Sequence, residues 1–474
     1  MSKRTQAGAG PNGSPGGGRG KASGSPARTR PTSAPIAPAR RCAYVVLRRV
    51  FEQGAYADRA LQAEAVKLDA RDRALTMRLA YGAIQRRATL DHVIEHLAGR
   101  PSARLDAPVL AALRLGLYEL LYLDGAPDHA VVADCVELVK TGRSSAYNLV
   151  NAVLRRATRE GAAALIGTLR DDTPEQAAIA HSHPQWLARL WWDYLGPADA
   201  LAMMAADNEP GELALRVNTL RADPAAVVAE LGVPTHTDPE LPEALVLDGP
   251  LDLHGSDLWE SGAVLAQSRA AMLVARALDP RPGERVLDLC AAPGGKSTHI
   301  AALIGDEGEV VAVERNRARA AELDATARRL HAHSVRVELA DAVEARPEGS
   351  VYDRVLIDPP CSGLGTLQAR PDLRWHVTAE GIGELTQIQA AILDAGAKAL
   401  RPGGVMVYST CTISPQENEQ QVERFLQRNS HFALDDLSHE QRSHIHPCMS
   451  EALLTMPHRD RTAGFFIARL RRVG

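Results

Sequence analysis

Two cysteines stand where thiol chemistry is easiest to build. Cys361 lies in Asp358-Pro359-Pro360-Cys361-Ser362-Gly363, and Cys411 in Tyr408-Ser409-Thr410-Cys411-Thr412. Each follows a mostly apolar run, Asp353 to Asp358 and Gly404 to Ser409. A third run ends in Asp288-Leu289-Cys290-Ala291-Ala292-Pro293-Gly294-Gly295-Lys296. In an open α/β sheet the carboxyl ends of the strands form the ligand crevice. Three such ends aim a glycine loop, a carboxylate and two thiols at one place. That grouping points to chemistry rather than packing, and a positioned thiol is a good nucleophile near neutral pH.

The elements that must hold these residues follow from apolar patterning. Strand-like runs are Arg285-Val286-Leu287-Asp288, Val310 to Glu314, Val335 to Glu338, Val355 to Asp358 and Val405 to Ser409. Helical segments fall between most of them, at Ser297 to Ile304, Arg317 to Leu330 and Leu385 to Leu400. A helix over Ala263 to Leu278 precedes the sheet. Phe465 to Leu470 reads as a late strand, antiparallel and at the edge. The plan is a Rossmann-like, doubly wound α/β domain.

The first loop is neither GxGxxG nor a complete phosphate loop, because Cys290 stands where a first glycine belongs. A ligand with a compact charged amino-acid part and a ribose suits it better. Gly294 and Gly295 allow close backbone approach. Glu314, at the end of the second strand, is placed to accept both ribose hydroxyls. Asp341 follows the third strand and is a candidate for the adenine amino group.

The chain has 474 residues, a formal net charge of −4 and six scattered cysteines. That length exceeds one ordinary core. No stretch is apolar enough for a bilayer span and no secretory signal is evident, so no membrane role is expected. The cysteines show neither metal-finger nor disulfide spacing; a reducing, cytoplasmic compartment fits, with no metal.

The chain reads as multidomain. Residues 1–40 are basic, with Lys3, Arg4, Arg19, Lys21, Arg28, Arg30 and Arg40, rich in Gly, Pro and Ser, and expected to be disordered. Residues 41–165 read as all-helical, with strong helices at Asp72 to Gln85 and Pro108 to Leu123, and another opening at Pro127. Arg40, Arg41, Arg48, Arg49, Arg155, Arg156 and Arg159 form an RNA-backbone footprint if they share a face, and a solvated helix surface if they do not. Residues 166–253 read as a small α+β unit. It opens with a helical stretch from Thr173 to Gly196, whose Trp186, Trp191 and Tyr194 read as core. Strands at Leu213 to Asn218 and Ala244 to Leu247 flank a short helix. Arg216, Asn218 and Arg221 suit either RNA contacts or ordinary structural roles. Residues 254–474 form the sheet domain.

These motifs, with Arg370-Pro371-Asp372-Leu373-Arg374-Trp375, resemble the RNA cytosine-5 methyltransferases that use S-adenosyl-L-methionine. Leu115 to Tyr122 and Val150 to Arg156 resemble the NusB-like, RNA-binding domain of members that act on 16S rRNA. The resemblance covers residues 41–474. It implies that Asp288, Cys290, Ala291, Ala292, Pro293, Gly294, Gly295 and Lys296 surround the methionine part of the cofactor. It implies Glu314 on the ribose, Asp341 on the adenine side, and Asp358 between cofactor and base. Cys411 is then the nucleophile and Cys361 the residue that assists release, with Lys296 beside them. Arg374 and Trp375 become candidates for phosphate or base contact. The expected partner is RNA, 16S rRNA by this resemblance; no obligate protein partner is expected, and the chain is expected to be a monomer. One departure is Ala463-Gly464-Phe465-Phe466, where the family usually has Asp-Gly-Phe-Phe.

Two other enzyme readings and one non-enzymatic reading compete. The same catalytic motifs serve tRNA or large-subunit rRNA. An amino-methylating enzyme would use an Asp/Asn-Pro-Pro-aromatic loop, but Cys361 follows Pro360 and Cys411 would have no task. A ribosome-assembly factor that only binds RNA would not need an intact cofactor loop and both thiols.

Overall fold

The computed structural model describes residues 36–142, 145–344, 352–439 and 442–473. Tail residues Lys3, Arg4, Arg19, Lys21, Arg28 and Arg30 lie outside them.

The first part is helical. Helices span Pro38–Gln53, Ala57–Glu64, Ala70–Gln85, Arg87–Ala98, Ala107–Tyr122, Asp128–Thr141 and Tyr147–Glu160. The first begins earlier than the tail boundary at residue 40 suggested. Proline at its first position is preset for helix, and Ile36 and Ala39 are buried. Ala107–Tyr122 runs through the centre, packed on the helices around it. The arginine footprint is largely dismantled by pairing. Arg40 is held by Glu119 and Asp134, each at 2.7 Å. Arg48 pairs with Glu52, Arg49 with Glu64 and Arg156 with Glu160. Arg155 donates to Asn151. Arg41 and Arg159 are exposed.

The stretch from Thr173 to Gly196 is two helices, Pro174–Ala180 and Gln185–Leu195. Pro184 disfavours helix at His183, and Ser182 turns with φ 59°. A four-stranded antiparallel sheet follows, in the order β2-β3-β1-β4: β1 Ala214–Val217, β2 Thr235–Asp238, β3 Leu241–Leu247 and β4 Val264–Ala266. The single helix expected over Ala263 to Leu278 is therefore corrected. Val264 pairs with Val217 as strand, and the helix starts at Arg269, where the Ser268 hydroxyl caps Ala271 N.

The large sheet contains β5 Arg285–Leu289, β6 Glu309–Glu314, β7 Val335–Leu339, β8 Tyr352–Ile357, β9 Leu400–Thr410, β10 Phe432–Asp435, β11 Leu453–Thr455 and β12 Phe465–Arg472. Its order is β10-β12-β9-β8-β5-β6-β7, with β11 also paired to β12. β5 to β9 are mutually parallel, and the order reverses between β5 and β8. That switch point is where a crevice opens at the carboxyl ends. β12 is antiparallel but not an edge strand. It lies between β9 and β10, and its run from Phe465 to Leu470 is buried throughout, as an interior strand requires.

The two sheets share a core. Helix Arg269–Leu278 packs with Leu241 and Ala244 of β3, Val286 of β5 and Ile467 of β12. The helical domain is joined to the large sheet through the segment after the Cys361 loop. Asp372 Oδ2 accepts from Ala57 N (3.1 Å), and Trp375 Nε1 donates to Ile84 O (2.8 Å). Arg374 is fully buried and donates to Ser182 O, Asp207 O and Asn208 Oδ1. The reading of Arg374 and Trp375 as RNA contacts gives way to this one: both terminal nitrogens of Arg374 and the indole nitrogen of Trp375 are bonded within the protein.

Candidate active site

At the end of β5, Asp288 is buried and accepts a hydrogen bond from Ser297 Oγ at 2.6 Å. Burial pushes its carboxyl up to about 7, and the nearby Asp358 charge adds to this. Its other oxygen, Oδ1, has no partner. Cys290 then turns with φ 66°, a conformation that costs a non-glycine residue energy and is often retained at ligand sites. Burial raises the Cys290 thiol to about 12, so it stays protonated. Gly294 has φ 100° and opens helix Gly295–Leu303. Asp288, Cys290, Ala291, Ala292, Pro293, Gly295 and Lys296 line a cavity of about 200 Å³ together with Gln267 and Ser268.

A second cavity, about 390 Å³, adjoins it at Cys290 and runs past Glu314, Asp341, Pro360 and Ile388. Glu314 ends β6, is 4 % exposed, and accepts from Asn316 N at 2.8 Å. Asp341 accepts from Val343 N, which fixes the loop after β7. One carboxylate at the end of β6 and one in the loop after the adjacent β7, with an apolar wall opposite, suit a nucleoside.

The thiols meet where β8 and β9 end. Cys361 Sγ and Cys411 Sγ are 3.4 Å apart, and both are free. Asp358 Oδ2 accepts from Lys296 Nζ at 2.7 Å, and Oδ1 lies 3.4 Å from the Ser409 hydroxyl. The hydrogen bond from Cys361 holds the Cys411 thiol below its ordinary value, helped by the charges of Lys296 and Arg370. Cys361 is pushed well up by the same bond, by burial, and by the charges of Cys411, Glu417 and Asp358. The pair is thus polarised: the thiolate belongs on Cys411 and the proton on Cys361. Lys296 stays charged, because Asp358 outweighs burial.

Asp288, Asp358 and the loop residues other than Gly294 line the smaller cavity, Glu314 and Asp341 line the larger, and the two thiols meet at the neighbouring strand ends. Arg216 and Asn218 do not reach it as RNA contacts. Both are buried. Arg216 donates to Gln267 Oε1 (2.7 Å), Thr298 Oγ1 (2.9 Å) and Gly295 O, so it braces the cofactor-side loop from β1. Asn218 donates to Gly262 O and Leu330 O. Arg221 is exposed.

Glu417 was not foreseen. It is fully buried and accepts from Ser362 N (2.9 Å), Ser362 Oγ (2.5 Å) and Gln389 Nε2 (3.0 Å). Ser362 Oγ also meets Thr412 Oγ1 at 2.6 Å, tying the two cysteine loops together. The signal in the sequence was slight, an acid in Ser414-Pro415-Gln416-Glu417-Asn418. Close backbone contact completes the frame. Gly365 N donates to Cys411 O, and Gly464 N to Gly365 O at 2.7 Å. A Cβ on Gly365 would stand 2.0 Å from Gly464 O. Beside this contact the Thr455 hydroxyl donates to Ala463 O and accepts from Phe465 N, so the turn is held without an acid at 463.

Residues 275–471 match the family described as 16S rRNA methyltransferase RsmB/F, residues 37–159 the NusB family, and residues 183–254 the ferredoxin-like domain of RsmF/B-like methyltransferases. The chain is 36% identical over 447 residues to a probable ribosomal RNA small subunit methyltransferase B of Synechocystis sp., covering 92% of this chain and 99% of that protein. It is 34% identical to the probable Bacillus subtilis protein of that name, covering 86% and 92%. Among solved structures, PH0851 is similar with a TM-score of 0.77 and 27% identity, covering 93% of this chain and 99% of that one. NSun6 from Pyrococcus horikoshii, solved with SFG, has a TM-score of 0.56 and 25% identity over 61% of this chain and 98% of its own. The three parts are thus a NusB-like helical domain, a ferredoxin-like α+β domain and a Rossmann-like methyltransferase domain. With relatives more than 30% identical over most of both chains, the chain belongs to the ribosomal RNA small subunit methyltransferase B (Sun/Fmu) family of RNA methyltransferases.

Proposed function

We propose that this protein methylates carbon 5 of a cytidine in 16S rRNA, using S-adenosyl-L-methionine and a transient bond from Cys411 to carbon 6. The observation that carries the reading is the pair of thiols, 3.4 Å apart, beside the Lys296–Asp358 ion pair. An amino-methylating enzyme has no use for two such thiols.

The cofactor reading is supported by the cavity chemistry. Asp288 Oδ1 is a buried acceptor without a partner, suited to an ammonium group, and Glu314 suits a ribose. SFG, found with NSun6, is an S-adenosylmethionine analogue. S-adenosyl-L-methionine, when bound, supplies the electrophilic methyl group. Asp288 and the 290–296 loop would hold its methionine part, Glu314 its ribose, and Asp341 its adenine side.

Carbon 5 of cytosine is a weak nucleophile. Addition of the Cys411 thiolate to carbon 6 moves electron density to carbon 5, which can then take a methyl group. Asp358 faces the base's N3/N4 edge; one of the two must carry a proton for a hydrogen bond, and that bond stabilises charge developing on the ring. Lys296 holds Asp358 in place. After transfer, the carbon-5 proton leaves and the carbon–sulfur bond breaks. Cys361, the neighbouring sulfur, can take part in that elimination directly or through water. The target must be unpaired or turned out of its stack to reach this depth.

Among the described residues no helix is long and apolar enough to cross a membrane. Six free cysteines fit a reducing cytoplasm, and nothing in the reaction requires a second subunit. The relatives' names direct the substrate choice to small-subunit rRNA. Mapping 5-methylcytosine across rRNA and tRNA in cells with and without the gene tests it. Loss of one mark in 16S rRNA is expected. Loss of a tRNA or large-subunit mark, with 16S rRNA unchanged, would replace the substrate.

A further inference from the structure

The helical domain reaches the mouth of the thiol site through one short loop. Gly54 ends helix Pro38–Gln53 in a left-handed turn, and Tyr56 precedes helix Ala57–Glu64. The loop is anchored to the methyltransferase domain, because Ala57 N donates to the buried Asp372. Tyr56 itself is 42 % exposed, although it is a large aromatic side chain. Two exposed arginines flank its ring. The guanidinium carbons of Arg59, from the same domain, and of Arg370, from the segment after the Cys361 loop, each lie 5.8 Å from the ring centroid. The His376 ring meets Tyr56 edge-on at 5.7 Å.

This patch adjoins the site. Arg370 lies five residues beyond Gly365, which bonds Cys411 O, and is close enough for its charge to act on the Cys411 thiol. The acids nearby are accounted for. Asp372 is buried and receives Ala57 N, while exposed Asp58 accepts from Arg59 N. Neither Arg59 nor Arg370 forms a short ion pair with them, unlike Arg40, Arg48 and Arg49 in the same domain. An aromatic ring with two mobile guanidinium groups over it has the composition that binds single-stranded RNA: a base stacks on the ring or on a guanidinium plane, and phosphates meet the arginine charges.

We propose that Tyr56, Arg59 and Arg370 form a platform for the unpaired RNA strand next to the target cytidine, so that the NusB-like domain supplies a substrate contact at the active-site mouth. This rests on the RNA-methylating reading of the site. It gives the helical domain a second task beyond docking: a base stacked on Tyr56 fixes the strand where the neighbouring base must turn into the crevice. Commitment to RNA rather than protein follows from the positive charge and from continuity with the thiol site.

The test uses the full chain and an unmethylated 16S rRNA transcript. Methyl transfer, RNA affinity by filter binding and S-adenosylmethionine affinity by calorimetry are measured for wild type, Tyr56→Ala, Tyr56→Trp and Arg59→Ala. Tyr56→Ala should raise the RNA Kd and KM about tenfold, within the range for one lost stacked base. Tyr56→Trp should restore both, which a purely structural role would not predict. Arg59→Ala should weaken RNA binding and flatten its log–log salt slope by roughly 0.7, as for one lost single-strand phosphate contact. Cofactor affinity should not move. Unchanged RNA Kd and KM in Tyr56→Ala, with wild type active, would overturn the platform and leave the reaction intact, whatever protein that face then held. RNA binding that depends on Tyr56 in a wild type that transfers no methyl would keep the platform and overturn the reaction.

Discussion

Cys361 Sγ and Cys411 Sγ, fifty residues apart in the chain, sit 3.4 Å apart at the ends of adjacent strands, with no disulfide between them. Their surroundings are unequal. Lys296 and Arg370 act on Cys411, and Glu417 acts on Cys361. One sulfur is therefore prepared to carry charge and the other to carry a proton.

This asymmetry predicts opposite outcomes for two similar variants. Cys411→Ala should abolish both methyl transfer and any covalent adduct with RNA. Cys361→Ala should still allow attack but slow elimination, so a denaturant-resistant adduct should accumulate. Denaturing gels after incubation with RNA and S-adenosylmethionine separate the cases. An adduct seen with Cys411→Ala and absent with Cys361→Ala would exchange the two roles.

Glu314 is 4 % exposed and holds Asn316 N, with the larger cavity beside it. Glu314→Ala should weaken S-adenosylmethionine binding by about 2–5 kcal/mol, the usual cost of losing a buried charged partner. Calorimetry that gives equal affinity for variant and wild type would remove Glu314 from the ribose.

Asp288 gives a pH signature. Its carboxyl is raised from 3.8 to about 7 by burial. Between those values the folded protein keeps a proton that the unfolded chain has released, so stability falls as pH rises through that window and levels off above it. Asp288→Asn should remove this contribution and stabilise the ligand-free protein at neutral pH, while weakening binding of the cationic cofactor. Urea denaturation across the window checks it. Parallel stability curves for variant and wild type would show that Asp288 is already ionised in the fold.

Arg216 is fully buried and bonds Gly295 O and Thr298 from the ferredoxin-like domain. Arg216→Met should raise the cofactor Kd about tenfold, or ~1.4 kcal/mol, by loosening the loop. A fragment of residues 254–474 should do worse, since it exposes helix Arg269–Leu278 where Leu241 and Ala244 packed. A fragment that binds cofactor like the full chain would show that the middle domain is not part of the site's support.

Much of this protein is local in origin and can be read from one strand of text. Apolar runs that end in Asp288, Glu314, Asp358 and Ser409 place those residues at strand termini, because a parallel sheet buried on both faces needs such runs. The cysteines inherit their position from the same runs. The helix opening at Pro127 was legible too, because proline presets the backbone for a first turn.

Tertiary structure decided what depends on long-range pairing and burial. Phe465 to Leu470 looked like an edge strand, yet β10 and β9 cover both its sides. Val264 and its neighbours continued a helical pattern, but pairing with β1 made them strand. Arg216, Arg374 and Arg40 carry the charge expected of RNA contacts, and the fold uses each as a brace, the first two fully buried and Arg40 half-buried. Tyr56 shows the converse, an aromatic that periodicity did not mark and that the domain junction leaves exposed between two arginines. An arginine's chemistry is the same in either setting. Whether water or protein surrounds it is set by residues far away in the chain, and only the folded arrangement brings those residues together.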